Sequence, residues 1–387
     1  MGCLIECYHR QTVDHLDGLL QNVRSSRSSF VLMNWILNTY LSPDLLGNPE
    51  LQEMDPIKEV DLLLFSELAE KAKIKLIENV KKEVKSSLEN ILQNDRGGKT
   101  GKDELYVDTI QCIHAMPTEA RKISQQLSYY VQEACFQELT MFLANYTAEK
   151  AKEEKPEIKD LFKTLMNCKE LKHYIQTTDK KTSPFNEAVA HLDRMEAFTL
   201  KLLKEIVADM AENHLKKYFK SDNKEFFHLL HDVKSRFSEL PGSKDVQMKV
   251  MEDSYKLIAH VYLKHLIQSS RRKLMKNWSP EVGLRVAEDA ELLHETFSEL
   301  APGVREWNGM LLKVKELYED KSFEAMKMTA ASIQNEYHTW SEDLKLLPAL
   351  LKWKGLSRQK IREVEIVLED VSDYQPRFVP ACSCFTS

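Results

Sequence analysis

Apolar residues recur every three or four positions along most of this chain, a spacing that places them on one face of an α-helix. A long example runs from about Pro56 to Leu92, with apolar residues at positions 62, 65, 68, 69, 72, 76 and 80. Similar stripes predict further helices over 6–23, 29–40, 103–116, 118–146, 157–176, 185–219, 223–239, 243–276, 279–299, 303–319, 321–338, 341–354 and 357–371. The pattern therefore predicts an all-α protein.

The breaks between these stripes are short, and short connections make neighbouring helices run antiparallel. Glycine and proline are scarce, with 11 and 12 among 387 residues, which favours long helices. Pro117 is expected to end one helix. The sequence predicts an elongated rod of stacked antiparallel helical bundles. Its expected parts are a partial first bundle (1–98), a middle bundle (99–241), a C-terminal bundle (242–372) and a flexible tail (373–387).

Charge and cysteine content limit the classes of function. The 54 basic and 60 acidic residues are interspersed and give a net charge of −6, so the overall basic field typical of nucleic-acid binding is missing. Seven cysteines without CxxC pairs indicate reduced thiols and a cytoplasmic protein. No apolar run in the sequence approaches the roughly 20 residues of a membrane-spanning helix.

Motifs for enzymatic chemistry are weak throughout the sequence. Gly98-Lys99-Thr100 invites a phosphate-loop interpretation, but Gln93 stands where that motif needs glycine. The pair Glu288 and Asp289 is interpreted as carboxylates on a solvated helix face. Candidate metal ligands are single-helix pairs that lack the HExxH pattern, namely His228 and His231, His260 and His265, Glu291 and His294, and Glu170 and His173. The sequence therefore predicts no catalytic residue, metal or cofactor.

Two clusters of basic residues are the candidate binding surfaces. The first could meet anionic lipid or an acidic partner, and consists of Arg271, Arg272, Lys273 and Lys276. The alternative is a helix C-terminus whose cations complement the helix dipole. The second cluster is a candidate partner surface on the last two predicted helices, and consists of Trp353, Lys354, Arg358 and Lys360.

Both termini carry partial lipidation signals. Met1-Gly2-Cys3 resembles the start of a myristoylation motif, but Glu6 occupies the place of its serine or threonine. The last four residues have the form of a prenylation box around Cys384, and Cys382 is a candidate for palmitoylation. One lipid chain binds a membrane only reversibly, so a second chain or a protein contact would be needed for stable anchoring.

Several stretches resemble the exocyst complex component 3 family, in particular its branch of component-3-like proteins and M-Sec. The similarity corresponds to the C-terminal portion of the family and rests on Glu6-Cys7-Tyr8, positions 30–47, Arg285 to Leu293 with Phe297, and Asp343 to Leu351. The resemblance implies a rod of helical bundles of the vesicle-tethering (CATCHR-like) type. It also implies partners among exocyst subunits, SNARE proteins and small GTPases of the Ral or Rho type.

The leading hypothesis from the sequence is a non-enzymatic exocyst-like tethering or scaffold protein in exocytosis or membrane protrusion. Such a protein would be cytoplasmic, with peripheral contact at the plasma membrane. The alternative is a lipid-anchored peripheral signalling adaptor without an exocyst role, which depends on the Cys384 motif. A third hypothesis, a helical-bundle enzyme with two metal ions, needs two inward-facing Glu-x-x-His motifs, and only the Glu291–His294 copy fits.

Overall fold

A computed structural model of the protein describes residues 2–40, 60–96, 105–152, 156–178, 183–220, 224–238, 244–278, 281–336 and 346–373. It also describes the isolated positions 42, 45, 58 and 240. In this part of the chain there are fifteen α-helices and one π-helical segment, and no residue lies in a β-strand. The all-α prediction is confirmed.

The chain divides into two compact units, Met1–Thr199 and Leu200–Ser387, and the division falls within helix α7. The boundaries expected near positions 98 and 241 lie outside the described residues, so the three-bundle division stays a prediction. The first helices are α1 (Gly2–Asn22), α2 (Ser26–Asn34), α3 (Leu62–Arg96), α4 (Leu105–Ile123), α5 (Gln125–Lys150), α6 (Ile158–Gln176) and α7 (Ser183–Tyr218). They are followed by α8 (Glu225–Phe237), α9 (Lys244–Gln268), α10 (Arg271–Asn277), α11 (Val282–Leu300), α12 (Gly309–Glu319), α13 (Phe323–Glu336), α14 (Leu346–Lys354) and α15 (Arg358–Asp373).

Helix α3 is central to the core of the first unit. Its buried residues are spaced by four and form one continuous stripe, consisting of Leu68, Ala72, Leu76, Val80, Val84, Leu88 and Leu92. This helix contacts α1, α2, α4 and α5. A single stripe can meet several neighbours because successive turns of a long helix face different partners.

The start of α2 is held by a carboxylate from α3. The backbone N–H of Ser26 donates to Glu83 at 2.8 Å, and the Ser26 hydroxyl donates to the other carboxylate oxygen at 2.5 Å. Ser25 caps the same helix by accepting a hydrogen bond from the N–H of Ser28. The helix predicted over 29–40 therefore begins earlier, and it continues as a π-helical segment over Trp35–Thr39.

The prediction that Pro117 ends a helix is wrong. Helix α4 continues through Pro117 to Ile123, and Ile113, Pro117 and Ala120 are buried on one face. Because that face packs in the core, burial outweighs the hydrogen bond that proline cannot donate. The break comes instead at Ser124, whose side chain caps α5 by accepting from the N–H of Leu127.

Two helices of the second unit have other bounds than the sequence predicts. The helix predicted over 243–276 is interrupted at Ser269 and Ser270, which separate α9 from the short helix α10. The hydroxyl of Ser269 donates to the carbonyl of His265 at 2.7 Å, so the side chain binds the last turn of α9. The helix predicted over 303–319 begins only at Gly309. The spacing on α9 predicts Met248, Met251, Tyr255 and Tyr262 as core residues. The last three are fully buried, whereas Met248 is half-buried.

Removing a large ring from the core of the first unit should destabilise it strongly. Phe136 on α5 is fully buried and stacks on Phe185, with ring centroids 3.9 Å apart. We expect Phe136→Ala to lower the free energy of unfolding by about 3–5 kcal/mol. The matched control on the same helix is Met141→Ala, since Met141 is 53% exposed and its loss should cost less than about 0.5 kcal/mol. Equal effects of the two substitutions in urea unfolding would contradict this packing.

Candidate interaction surface

The short helix α10 has one face towards the protein and one towards solvent. Leu274 is fully buried and fixes the orientation of the helix. Arg272, Lys273 and Lys276 are exposed, and within the described part of the chain none of them pairs with a carboxylate. Met275 lies among them and is 38% exposed. Three of the four predicted cations are therefore available to a partner.

The fourth cation, Arg271, is tied into the fold. Its guanidinium donates from Nη1 to the backbone carbonyl of Lys354 at 2.7 Å. The same group lies over the ring of Tyr318, 5.0 Å from the ring centre. Cation–π contact and a charge-assisted hydrogen bond both hold this side chain in place. Arg271 therefore links α10 to α14 and is only partly available for binding.

Lys354 caps the C-terminus of α12. Its ammonium group donates to the carbonyl oxygens of Leu317 at 2.7 Å, Tyr318 at 2.5 Å and Asp320 at 2.8 Å. Carbonyl groups in the last turn of a helix have no partner within the helix, and a lysine can supply one. Burial lowers the pKa of Lys354, and the nearby charge of Arg271 lowers it further. This predicted partner residue thus has a structural role.

Trp353 completes the connection between the two predicted surfaces. Its indole Nε1 donates to the carbonyl of Ser269, between α9 and α10, at 2.9 Å. Its ring also lies beside Tyr318, with centroids 6.3 Å apart. The clusters at 271–276 and 353–360, which the sequence presents as separate, therefore adjoin in the folded protein.

Helix α15 adds exposed cations to this region. Arg358 and Lys360 are both exposed, as a partner surface requires. The Lys360 ammonium lies 5.1 Å from the centre of the Phe323 ring on α13. Sequence reasoning missed Lys352 and Arg362, which are exposed in the same segment. The available signal was the segment 352–362 as a whole, which has five cations and no carboxylate.

We name this combined region the basic surface. It consists of Arg271, Arg272, Lys273, Lys276, Lys352, Lys354, Arg358, Lys360 and Arg362. Elsewhere in the second unit, lysines commonly pair with carboxylates, as Lys264 does with Glu212 at 2.6 Å and Lys204 with Asp253 at 3.1 Å. Because the cations of α10 and of positions 352–362 lack such neutralisation, the basic surface is suited to binding an anionic partner.

A buried polar network lies apart from the basic surface, in the core of the second unit. The carboxylate of Asp289 on α11 accepts hydrogen bonds from the hydroxyls of Tyr218 at 2.6 Å and Tyr262 at 2.7 Å. Arg285 donates to the Tyr218 hydroxyl at 2.9 Å, and its Nε lies 3.6 Å from Asp289. The network therefore joins α7, α9 and α11 through one carboxyl group.

The interpretation of Asp289 as a solvated carboxylate is wrong, because its side chain is 1% exposed. Burial raises its pKa to about 6, although the two tyrosine hydrogen bonds and the charge of Arg285 act in the opposite direction. Its neighbour Glu288 is exposed, as expected. The sequence signal that could have found Asp289 is its register, since it falls on the buried stripe with Val286, Ala290 and Leu293.

The first unit has one polar cleft of note, of about 260 Å³, between α3, α5 and α6. Lys163 and Asp95 lie in its wall and form an ion pair of 2.8 Å, so these two charges satisfy each other. Tyr146 also lines the cleft, and its hydroxyl accepts a hydrogen bond from Asn167 at 3.3 Å. The polar groups of this cleft therefore stabilise helix contacts.

The candidate metal ligands do not converge in the described residues, where no group of three or more histidine, cysteine or acidic side chains is arranged to hold a metal ion. His265 instead binds Glu212, at 2.6 Å, and His173 is exposed. His294 lies beside Ser298, with 3.3 Å between Nε2 and the hydroxyl.

Several other predicted features lie outside the described residues. They are Gly98-Lys99-Thr100 and the lipidation candidates Cys382 and Cys384, which stay predictions. Within the helices that the structure describes, none is both long enough and apolar enough to cross a bilayer.

Comparison with known proteins supports the fold. No protein-family model matches the chain. Among solved structures, the chain is similar to the crystal structure of M-Sec, with a TM-score of 0.68 and 18% sequence identity. The match covers 96% of this chain and 67% of the M-Sec chain. A likeness at this identity shows a shared helical-bundle fold, whereas membership of the exocyst component 3 family stays a prediction.

Removing the ammonium group of Lys354 should destabilise the second unit. Lys354→Met keeps most of the apolar stem but leaves three helix-end carbonyls without their donor. We expect the free energy of unfolding to fall by about 2 kcal/mol, because hydrogen bonds from charged groups are among the stronger ones. The control is the exposed neighbour, Lys352→Met, with an effect below about 0.5 kcal/mol. If Lys354→Met lowered the free energy of unfolding in urea no more than Lys352→Met does, the capping role would be wrong.

The stability of the second unit should depend on the titration of Asp289. Since the folded protein holds this proton more tightly than the unfolded chain, the contribution to stability is fully present below the ordinary pKa near 4 and is lost as the pH rises to about 6. We expect the difference in unfolding free energy between wild type and Asp289→Asn to fall by up to about 1.4 kcal/mol per pH unit across that window. Glu288→Gln is the control. A difference that is constant with pH would contradict the raised pKa.

Proposed function

We propose that this protein is a non-enzymatic tethering or scaffold protein of the exocyst type, which acts in exocytosis or membrane protrusion. The observation that carries the proposal is the helical-bundle similarity to M-Sec, which extends over 96% of the chain. The stretches that resemble the exocyst complex component 3 family also support it. They lie in both compact units, as Glu6-Cys7-Tyr8 and positions 285–293 do.

The internal chemistry of the protein is consistent with a scaffold. The largest fully buried side chains are aromatic and aliphatic and fill the space between helices, as Tyr255 and Phe297 do by stacking at 4.8 Å. Buried and partly buried polar groups join helices, as Asp289 and Lys354 respectively illustrate. A scaffold needs rigid elements that present exposed side chains to other proteins, and rigid helices suit that purpose.

The proposed partners are exocyst subunits, SNARE proteins and small GTPases of the Ral or Rho type. A protein of this kind acts in the cytoplasm and reaches the plasma membrane as a peripheral component.

The partner list of the protein tests this proposal. We expect an affinity-tagged full chain, purified from a detergent-cleared cell lysate, to enrich exocyst subunits, SNARE proteins or Ral/Rho GTPases over the tag alone, as measured by quantitative mass spectrometry. Detergent is needed because shared membrane fragments would otherwise carry unrelated proteins with the bait. Enrichment of none of these three groups would contradict the proposed function.

A further inference from the structure

The exposed cations of the basic surface form no ion pair with a carboxylate in the described part of the chain. Six of them contact no carboxylate, carbonyl or aromatic ring in the described part of the chain, namely Arg272, Lys273, Lys276, Lys352, Arg358 and Arg362. The carboxylate of Asp320 accepts a hydrogen bond from Thr329 at 2.8 Å, and its charge acts on Lys354, whose pKa is lowered by burial and raised by this carboxylate. The whole chain has a net charge of −6. Acidic and basic residues mixed evenly over the surface would therefore not produce a region with so many cations.

Helix α15 adds to this positive potential through its direction. Arg358, Lys360 and Arg362 lie within its first five residues, and no acidic residue occupies its first turn. The N-terminus of a helix already carries partial positive charge, so cations there are unfavourable for the isolated helix. The helix end and its cations therefore act together on any anion that approaches the basic surface.

An apolar side chain emerges among these cations. On α10, Arg272, Met275 and Lys276 share one helical face because they are spaced by three and four. Leu274 lies on the opposite, buried side of the helix, so the solvent-facing side presents charge and an apolar group together. Lysine and arginine beside an exposed apolar residue form a combination that fits the boundary between lipid headgroups and acyl chains.

We propose that the basic surface docks onto an anionic lipid bilayer, with the cations of α10, α14 and α15 at the headgroup phosphates and Met275 inserted between headgroups. The occupant is a bilayer because the exposed cations are spread over three helices and lie beside an exposed apolar side chain, Met275. Hydrogen bonds from Arg271 and Trp353 join α10 and its preceding turn to α14, so the exposed cations of these two helices are held close to one another.

This membrane contact goes beyond the proposed tethering function and does not rest on it. It uses residues of this chain alone and requires neither exocyst subunits nor SNARE proteins. A purified protein is therefore sufficient for its test, and either proposal can fail while the other stands.

The test is co-sedimentation of the purified full chain with lipid vesicles. We expect binding to phosphatidylcholine vesicles that contain about 30% phosphatidylserine and little binding to phosphatidylcholine alone. Raising the salt from about 0.1 M to about 0.5 M should release most of the protein, since it shortens the range of the electrostatic attraction. Salt-resistant or composition-independent binding would overturn the electrostatic proposal.

Two triple variants locate the contact. Arg272→Gln, Lys273→Gln and Lys276→Gln together should lower the vesicle partition coefficient about a hundredfold, because each cation near an anionic surface contributes a factor of about five. The matched control changes three exposed cations of the first unit to glutamine, namely Lys82, Lys85 and Arg121. It removes the same net charge and should change binding less than about twofold. An equal loss of vesicle binding in both triple variants would overturn the proposal. Binding would then depend on the net charge of the protein and not on where the cations lie.

Further variants separate the parts of the surface. The triple change Lys352→Gln, Arg358→Gln and Arg362→Gln should give a similar loss to the α10 variant, and Met275→Ser should lower binding about fivefold at constant charge. Circular dichroism spectra that match wild type establish that each variant is folded. If wild-type protein ignores the vesicles but binds polyglutamate through the same cations, the surface belongs to an acidic protein partner, and the membrane proposal is overturned.

Discussion

Burial of one apolar stripe per helix is the constraint on which the rest of this structure depends. Each stripe must meet another, so helices such as α3 are enclosed by neighbours, and any polar group carried inside must find a partner there. Asp289 meets that requirement inside the core, and the partly buried Lys354 and Glu83 meet it at helix ends, since each forms several hydrogen bonds where helices converge. The apolar stripes position the helices, and these polar contacts fix how their ends meet.

Much of the fold could be predicted from the sequence, because a helix is a local structure with a local signal. The spacing of apolar residues located the long helices α5, α6 and α7 within a few residues of their bounds, apart from the start of α5. The errors arose where distant contacts decide the outcome. Pro117 stays helical because its face is buried. The helix predicted over 243–276 is divided at Ser269, whose carbonyl accepts a hydrogen bond from the indole of the distant Trp353.

The candidate surface was only partly predictable for the same reason. Local runs of charge identified Arg272 and Arg358, but no local pattern indicates that residues about eighty positions apart would adjoin. Nor does composition distinguish a lysine that reaches solvent from one that caps a helix, as the neighbours Lys352 and Lys354 demonstrate. The buried carboxyl of Asp289 was misjudged because its exposed neighbour Glu288 made the pair look solvated, whereas the helical register separates the two.

The hydrogen bond between Arg271 and the carbonyl of Lys354 spans 83 positions of the chain. During synthesis on the ribosome, α10 is therefore made well before the residue that anchors it. The basic surface reaches its full charge and its fixed geometry only when the last helices have been added and packed. An incomplete chain, or one shortened before α14, would carry the α10 cations without the support that orients them. The basic surface is therefore complete only after α14 and α15 have folded.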